Sequence, residues 1–305
     1  MTPAFQNFIQ PAHPRIEIWR VLITLGIWFL LYLGLSTAVL AGLGLYFSAG
    51  DPEQFLGGKF DTPIQMLVLF STFVMWMIAL IVPLWFLHKR GIGSLLGTGP
   101  LRLLGYFLIG VLLYAAVIFG LGLLVGSEPE LIENLAPETW IKYLAPGLIL
   151  LLIQVSAEEF LFRGYLQQQI AARFNKVWPA LVIPSLLFAL GHFNTDNGLK
   201  QGLLLVLATG LLGLFLAEVT YRTGNLGAAI GIHFLNNLLG MFVVSYQEFA
   251  SGLALYRAQN YYDDPSLFER DLMFQIKVMM IGLTLYYAFR WCQRHRNLQK
   301  NSDQN

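Results

Sequence analysis

Two adjacent carboxylates, Glu158 and Glu159, stand with Arg163 in one of the most apolar stretches of the chain, Ala157-Glu158-Glu159-Phe160-Leu161-Phe162-Arg163-Gly164. A single charged group at the centre of a membrane helix costs about 3 kcal/mol on insertion scales, so a partner or a function must offset this set. Glu159 precedes Arg163 by four residues, the favourable order for an ion pair on one helical face, whereas Glu158 has Phe162 at that spacing. Neighbours on a helix point about 100° apart. The pattern therefore predicts that Glu159 and Arg163 form a charge-balanced supporting pair and that Glu158 faces a polar cavity. Two histidines wait in later apolar runs: His192 closes Phe188-Ala189-Leu190-Gly191-His192, and His233 is followed one turn later by Asn237.

A carboxylate and a histidine beside an enclosed water can take its proton, and a second histidine with an asparagine amide can stabilise the oxyanion of a tetrahedral intermediate. Glu158 with His192, and His233 with Asn237, would together hydrolyse an amide bond inside the membrane boundary. Glu158, His192 and His233 could instead hold a divalent metal such as zinc with a position left for water, and the residues leave both schemes open. Nucleophilic schemes fare worse: there is no Gly-x-Ser-Gly, Gly-x-Gly-Asp or His-Glu-x-x-His, Ser156 and Ser185 lack a paired motif, and Cys292 lies in the basic C-terminal region. The alternative class is a non-enzymatic membrane protein, either a proton-coupled transporter built on buried acids and histidines or a scaffold or bacteriocin-immunity partner. The chain shows no pair of related halves of the kind many transporters carry.

The elements that must position these residues are membrane helices. A chain of 305 residues that is 56% hydrophobic, 14% aromatic and 12% charged cannot bury its apolar side chains in one soluble core. With a mean hydropathy of +0.60 it reads as an all-α, polytopic integral membrane protein. About eight transmembrane helices are expected, at 21–47, 64–87, 103–125, 144–165, 177–193, 202–219, 226–246 and 272–289, the fifth being short and carrying Pro179 and Pro184. The first apolar run has no small-residue cleavage site and reads as an anchor.

Basic residues gather in alternate loops: Arg15 and Arg20; His88, Lys89, Arg90 and Arg102; Arg173 and Lys176; Arg222; and Arg290, Arg294, Arg296 and Lys300. The opposite loops carry acids, among them Asp51, Glu53, Glu128, Glu130, Glu133, Asp196, Glu248, Asp263 and Asp264. By the positive-inside rule both termini are cytoplasmic, which agrees with an even number of spans. In a bacterium the membrane would be the plasma membrane. There is no basic stripe for nucleic acid. His13, His88 and His295 fall outside the spans and are expected to be solvated.

If the fourth helix runs on past Gln169 and turns near Asn175, then Glu158 and His192 are each 17 residues from that turn and stand level in an antiparallel pair. A second hairpin turning at Thr223-Gly224-Asn225 would put His233 about 13 Å from its turn. Gly227 and Gly231, four apart just before His233, would let another helix approach closely. His192 would end near the outer boundary unless the loop 194–197 dips into a water-filled cavity.

Glu158-Glu159-x-x-x-Arg163, Phe188-x-x-x-His192 and His233-x-x-x-Asn237 resemble, in order, the three motifs of the CPBP family of intramembrane endopeptidases, also known as Abi or type II CAAX prenyl endopeptidases and including lysostaphin-resistance-A-like proteins. The resemblance spans 143–239. It implies an eight-helix protease with Glu158 and His192 activating water, His233 and Asn237 as oxyanion hole, and Glu159 and Arg163 in support. It also implies a peptide or membrane-protein substrate, which could be lipidated, presented from the bilayer. Glutamic and metalloprotease chemistries are both compatible with the resemblance. The chain divides accordingly into N-terminal helices at 1–142, a catalytic core at 143–246, and an outer loop, last helix and basic tail at 247–305.

Overall fold

The computed structural model describes residues 1–47, 60–125, 130–195, 198–246, 250–258 and, farther on, 266–267, 269–270, 272–277, 279–281 and 287. Asp51, Glu53, Glu128, Asp196, Glu248, Asp263, Asp264, Cys292, His295, the basic tail and part of the eighth expected span lie outside these residues.

A short helix, α1 (Pro3–Ile9), opens the chain and is capped by Thr2, whose hydroxyl accepts from Phe5 N at 3.1 Å. Among the described residues five helices are long and apolar enough to cross a membrane: α2 (Ile18–Phe47), α3 (Pro63–His88), α4 (Pro100–Val125), α5 (Pro137–Phe174) and α7 (Leu199–Thr223). Two shorter apolar helices, α6 (Val177–Leu190) and α8 (Gly227–Val243), complete the core, and a third short apolar helix spans Leu272–Ile281. The protein is thus an all-α membrane protein, and among the described residues five helices, against the expected eight, have spanning length. The 14 residues of α6 cover about 21 Å, against a hydrocarbon core of about 30 Å. One local departure from all-α is a small sheet in the order β1 (Leu131–Glu133), β3 (Tyr256–Ala258), β2 (Val244–Ser245). β1 pairs antiparallel to β3 and β2 parallel to it, tying the entrance of α5 to the exit of α8.

Local chemistry sets the helix ends. Thr62 and Gln65 form a reciprocal capping box at the start of α3, which stops at Lys89 in the left-handed region. Asn175 (φ 50°) turns α5 into α6, and Gly224 (φ 60°) turns α7 into α8. Both turns fall where the sequence places them. Gly224 is required on two counts, since a Cβ there would also lie 2.4 Å from the Ala4 carbonyl oxygen.

Packing then aligns the core. Phe162 and Phe188, each 13 residues from Asn175, meet with ring centroids 5.2 Å apart, which fixes the register of α5 against α6. Helix α8 lies directly on α4: Cβ atoms at Gly227, Gly231 and Gly110 would approach the carbonyl oxygens of Leu103, Phe107 and Ala228 to 2.1–2.3 Å. Leu30, Leu101 and Leu112 on the long apolar helices are exposed, as suits helices that cross a membrane.

One expectation for the polar flanks is corrected. His88 is not solvated but 3% exposed, and its Nε2 meets the Tyr165 and Thr24 hydroxyls at 2.8 and 3.2 Å. The residues through Pro14, polar and proline-containing in sequence, dock against the bundle through Phe5, Phe8, Ile9 and Ala12. Their i, i+3, i+4, i+7 spacing is an amphipathic stripe too short to register as a span. His13 is exposed as expected.

Candidate active site

Helix α5 departs from α-geometry at the acidic pair. Residues Phe160–Leu166 form a π segment immediately after Glu159, and Leu239–Val243 form a second one shortly after Asn237. Wide turns of this kind cluster at functional sites because they re-aim the side chains beside them. The helix that supplies Glu158 and Glu159 and the helix that supplies His233 and Asn237 each carry one.

Glu159 and Arg163 form the predicted ion pair at 2.8 Å, and neither side chain is exposed. The arginine is held further by the Gly213 carbonyl, to which Nη2 donates at 3.1 Å, and by the Phe188 ring, 4.6 Å below its guanidinium. Gly213 makes room for this approach, since a Cβ there would meet Arg163 Nη2 at 3.2 Å.

The role expected for Glu159 is too narrow, however. Its Oε1 also bonds His233 Nδ1 at 2.8 Å, while His233 Nε2 lies 3.5 Å from Glu158 Oε2. Adjacent carboxylates that point apart around their own helix thus meet a single imidazole from α8, one at each ring nitrogen. An ionised carboxylate can only accept, so the Glu159 contact puts a proton on Nδ1 and leaves Nε2 as the working nitrogen. Asn237 Nδ2 lies 3.3 Å from that nitrogen. Glu158 is 8% exposed and its Oε2 has no hydrogen-bond partner within the protein.

His192 lies just beyond the end of α6 and is half-buried. Its Nδ1 donates to the Phe188 carbonyl at 2.8 Å, leaving Nε2 as an acceptor suited to a base. No hydrogen bond or ion pair joins it to Glu158 or His233. Phe188 links them instead, lying tilted against His192 at 4.6 Å and meeting His233 edge-on at 5.7 Å. Among the described residues no three His, Cys, Asp or Glu side chains converge to hold a metal ion. The set Glu158, His192 and His233 therefore does not fit a preformed metal centre in this arrangement.

Residues 140–239 match the family model described as type II CAAX prenyl endopeptidase, Rce1-like. The match covers about a third of the chain and supports a likeness to the CAAX protease family over that segment. No curated protein matches the chain. The family segment begins at Trp140, whose Nε1 donates to the Phe242 carbonyl at 2.9 Å, and ends at Leu239, so it contains every group of the site. The family match and the apolar helices together support an integral membrane protein, and the match supports a protease in general.

Sequence reasoning missed three polar neighbours: Gln154 accepts from Asn237 Nδ2 at 3.0 Å, Asn236 donates to Asn237 Oδ1 at 3.0 Å, and the Tyr114 hydroxyl reaches Asn236 Oδ1 at 2.6 Å. Gln154 is one turn before Glu158 on the same helix, a spacing that could have flagged it.

Proposed function

We propose that the protein is a CAAX-protease-like intramembrane endopeptidase that hydrolyses a peptide bond with water activated by Glu158 and His192. The observation that carries the reading is the buried facing pair, Glu158 Oε2 and His233 Nε2 at 3.5 Å, with Asn237 beside them, inside an apolar bundle. Glu158 takes a proton from water oriented by His192 Nε2, and the water oxygen adds to the scissile carbonyl carbon. Glu158 passes the water proton to His233 Nε2, 3.5 Å away, and the carbonyl oxygen, now negative, is stabilised by the Asn237 amide and by the resulting imidazolium, which Glu159 balances. Collapse of the intermediate breaks the C–N bond, and the proton returns from His233 through Glu158 to the leaving amine. No step is routed through a metal, because the donors do not converge on one point.

The family match favours this reading over a transporter or scaffold. The substrate is a peptide or a membrane-protein segment, a lipidated C-terminus being the class the family description suggests. Eight spans with both termini cytoplasmic would open the site toward the cytoplasmic side.

The deciding experiment uses purified protein in detergent and a quenched peptide bearing a farnesylated cysteine. Glu158→Gln should lower kcat by about 10²- to 10⁴-fold with an unchanged thermal midpoint. Undiminished cleavage refutes the assignment. Cleavage that survives exhaustive chelation supports the metal-free scheme, and loss restored by zinc overturns it.

A further inference from the structure

The catalytic reading, on which the following rests, needs Asn237 to present N–H and not C=O to the reacting carbonyl. Shape alone cannot ensure this, because the oxygen and nitrogen of an amide are nearly isosteric and only hydrogen-bond partners choose between the two orientations. A chain of bonds across three helices makes the choice. From α4, Tyr114 O–H donates to Asn236 Oδ1 at 2.6 Å; within α8, Asn236 Nδ2 donates to Asn237 Oδ1 at 3.0 Å; and Asn237 Nδ2 donates at 3.0 Å to Gln154 Oε1 on α5.

The direction of the chain is set at its other end. Arg163 holds Glu159 as an acceptor at 2.8 Å, His233 Nδ1–H donates to Glu159 at 2.8 Å, and the neutral ring then offers Nε2 as an acceptor to Asn237 Nδ2 at 3.3 Å. We propose that Gln154 and Asn236 are positioning residues that hold the Asn237 amide with its N–H edge turned into the site, and that Tyr114 fixes Asn236 in turn. One Asn237 hydrogen is committed to Gln154. The other, in the longer contact to His233, is released to the oxyanion when His233 Nε2 becomes a donor.

Without the Gln154 acceptor or the Asn236 donor the amide can turn over, and Oδ1 would then repel the developing negative charge. That charge exists only in the transition state and the intermediate, so the loss falls on kcat and not on substrate binding. Gln154 and Tyr114 are both buried, at 4% and 6% exposure, and Tyr114 is too far along the chain of bonds to be needed for binding substrate.

The test is a double-mutant cycle on the full-length protein with the farnesylated quenched peptide, recording kcat, KM and thermal midpoint. Gln154→Leu and Asn236→Leu should each lower kcat roughly tenfold to a hundredfold, below the loss for removing an oxyanion donor outright, with KM within about twofold. Neither should lower kcat further in an Asn237→Ala background. Tyr114→Phe removes only one hydroxyl and retains the fold, and it should lower kcat a few fold in the wild-type background and not at all beside Asn237→Ala. Equal losses in both backgrounds, or a change confined to KM, overturn the positioning role while leaving the catalytic reading intact. An Asn237→Ala enzyme with the wild-type rate overturns both.

Discussion

Two buried polar networks share helix α5, separated by little more than a turn. The upper one joins Glu158, Glu159 and Arg163 to His233, and in it Glu158 Oε2, Glu159 Oε2 and Arg163 Nε are buried without a hydrogen-bond partner in the protein. The lower one joins Tyr165, Gln168 and Gln169 to Thr24, His88 and Arg90. There Gln169 turns its nitrogen to the Arg15 carbonyl and its oxygen to His88 Nδ1 and Arg90, each at 3.1 Å. Arg90 also bonds Gln168 and Ser94, and burial pushes its guanidinium down to about 10. Arg15 and Arg20 donate to the Leu87 carbonyl at the end of α3, where the helix dipole favours cations.

The lower network is neutral side chains and cations with every buried group matched. The upper one holds acids and leaves acceptors and donors open. An unmatched buried polar atom costs about 1–3 kcal/mol, so a fold retains several of them only where something other than stability selects them. The difference separates a clamp from a site.

Four substitutions can break or sharpen that contrast. Arg163→Leu strands Glu159 as an unpaired buried charge and should cost about 3–5 kcal/mol of stability, seen as a collapse of the thermal midpoint, with part recovered by adding Glu159→Gln. No recovery would mean that Arg163 acts through packing alone. Glu158→Gln should do the opposite, removing catalysis while sparing the midpoint. In the lower network His88→Leu should cost about 1–3 kcal/mol, because the Tyr165 and Gln169 groups lose their partner, and should leave kcat per folded molecule unchanged. A large fall in kcat at constant stability would make the clamp part of the site. Tyr165→Phe is the mildest, about 1 kcal/mol of stability from one hydroxyl and no change in rate.

Much of the site was legible from residue order. The cost of charge in an apolar run singled out Glu158, Glu159 and Arg163, the i,i+4 rule paired the last two, and the turns at Asn175 and Thr223 to Asn225 emerged from their residues. The Phe162 to Phe188 contact shows that equal distances from Asn175 set the α5 and α6 register. His88 was misplaced and α1 missed for one reason: both lie just outside apolar runs, where hydropathy assigns residues to water, although Phe5, Phe8 and Ile9 are buried within the bundle. The small sheet was invisible because its strands are two or three residues long and their pairing joins distant parts of the chain.

What the sequence by itself determined is every relation within one helix or across one tight turn, since a 1.5 Å rise and 3.6 residues per turn leave those relations little freedom. What only the tertiary structure decided is how helices are rotated against one another. On a helical wheel Glu158 and Glu159 point apart and cannot share a task. In the folded protein α8 brings one imidazole between them, and its two nitrogens, on opposite edges of the ring, reach both acids at 2.8 and 3.5 Å.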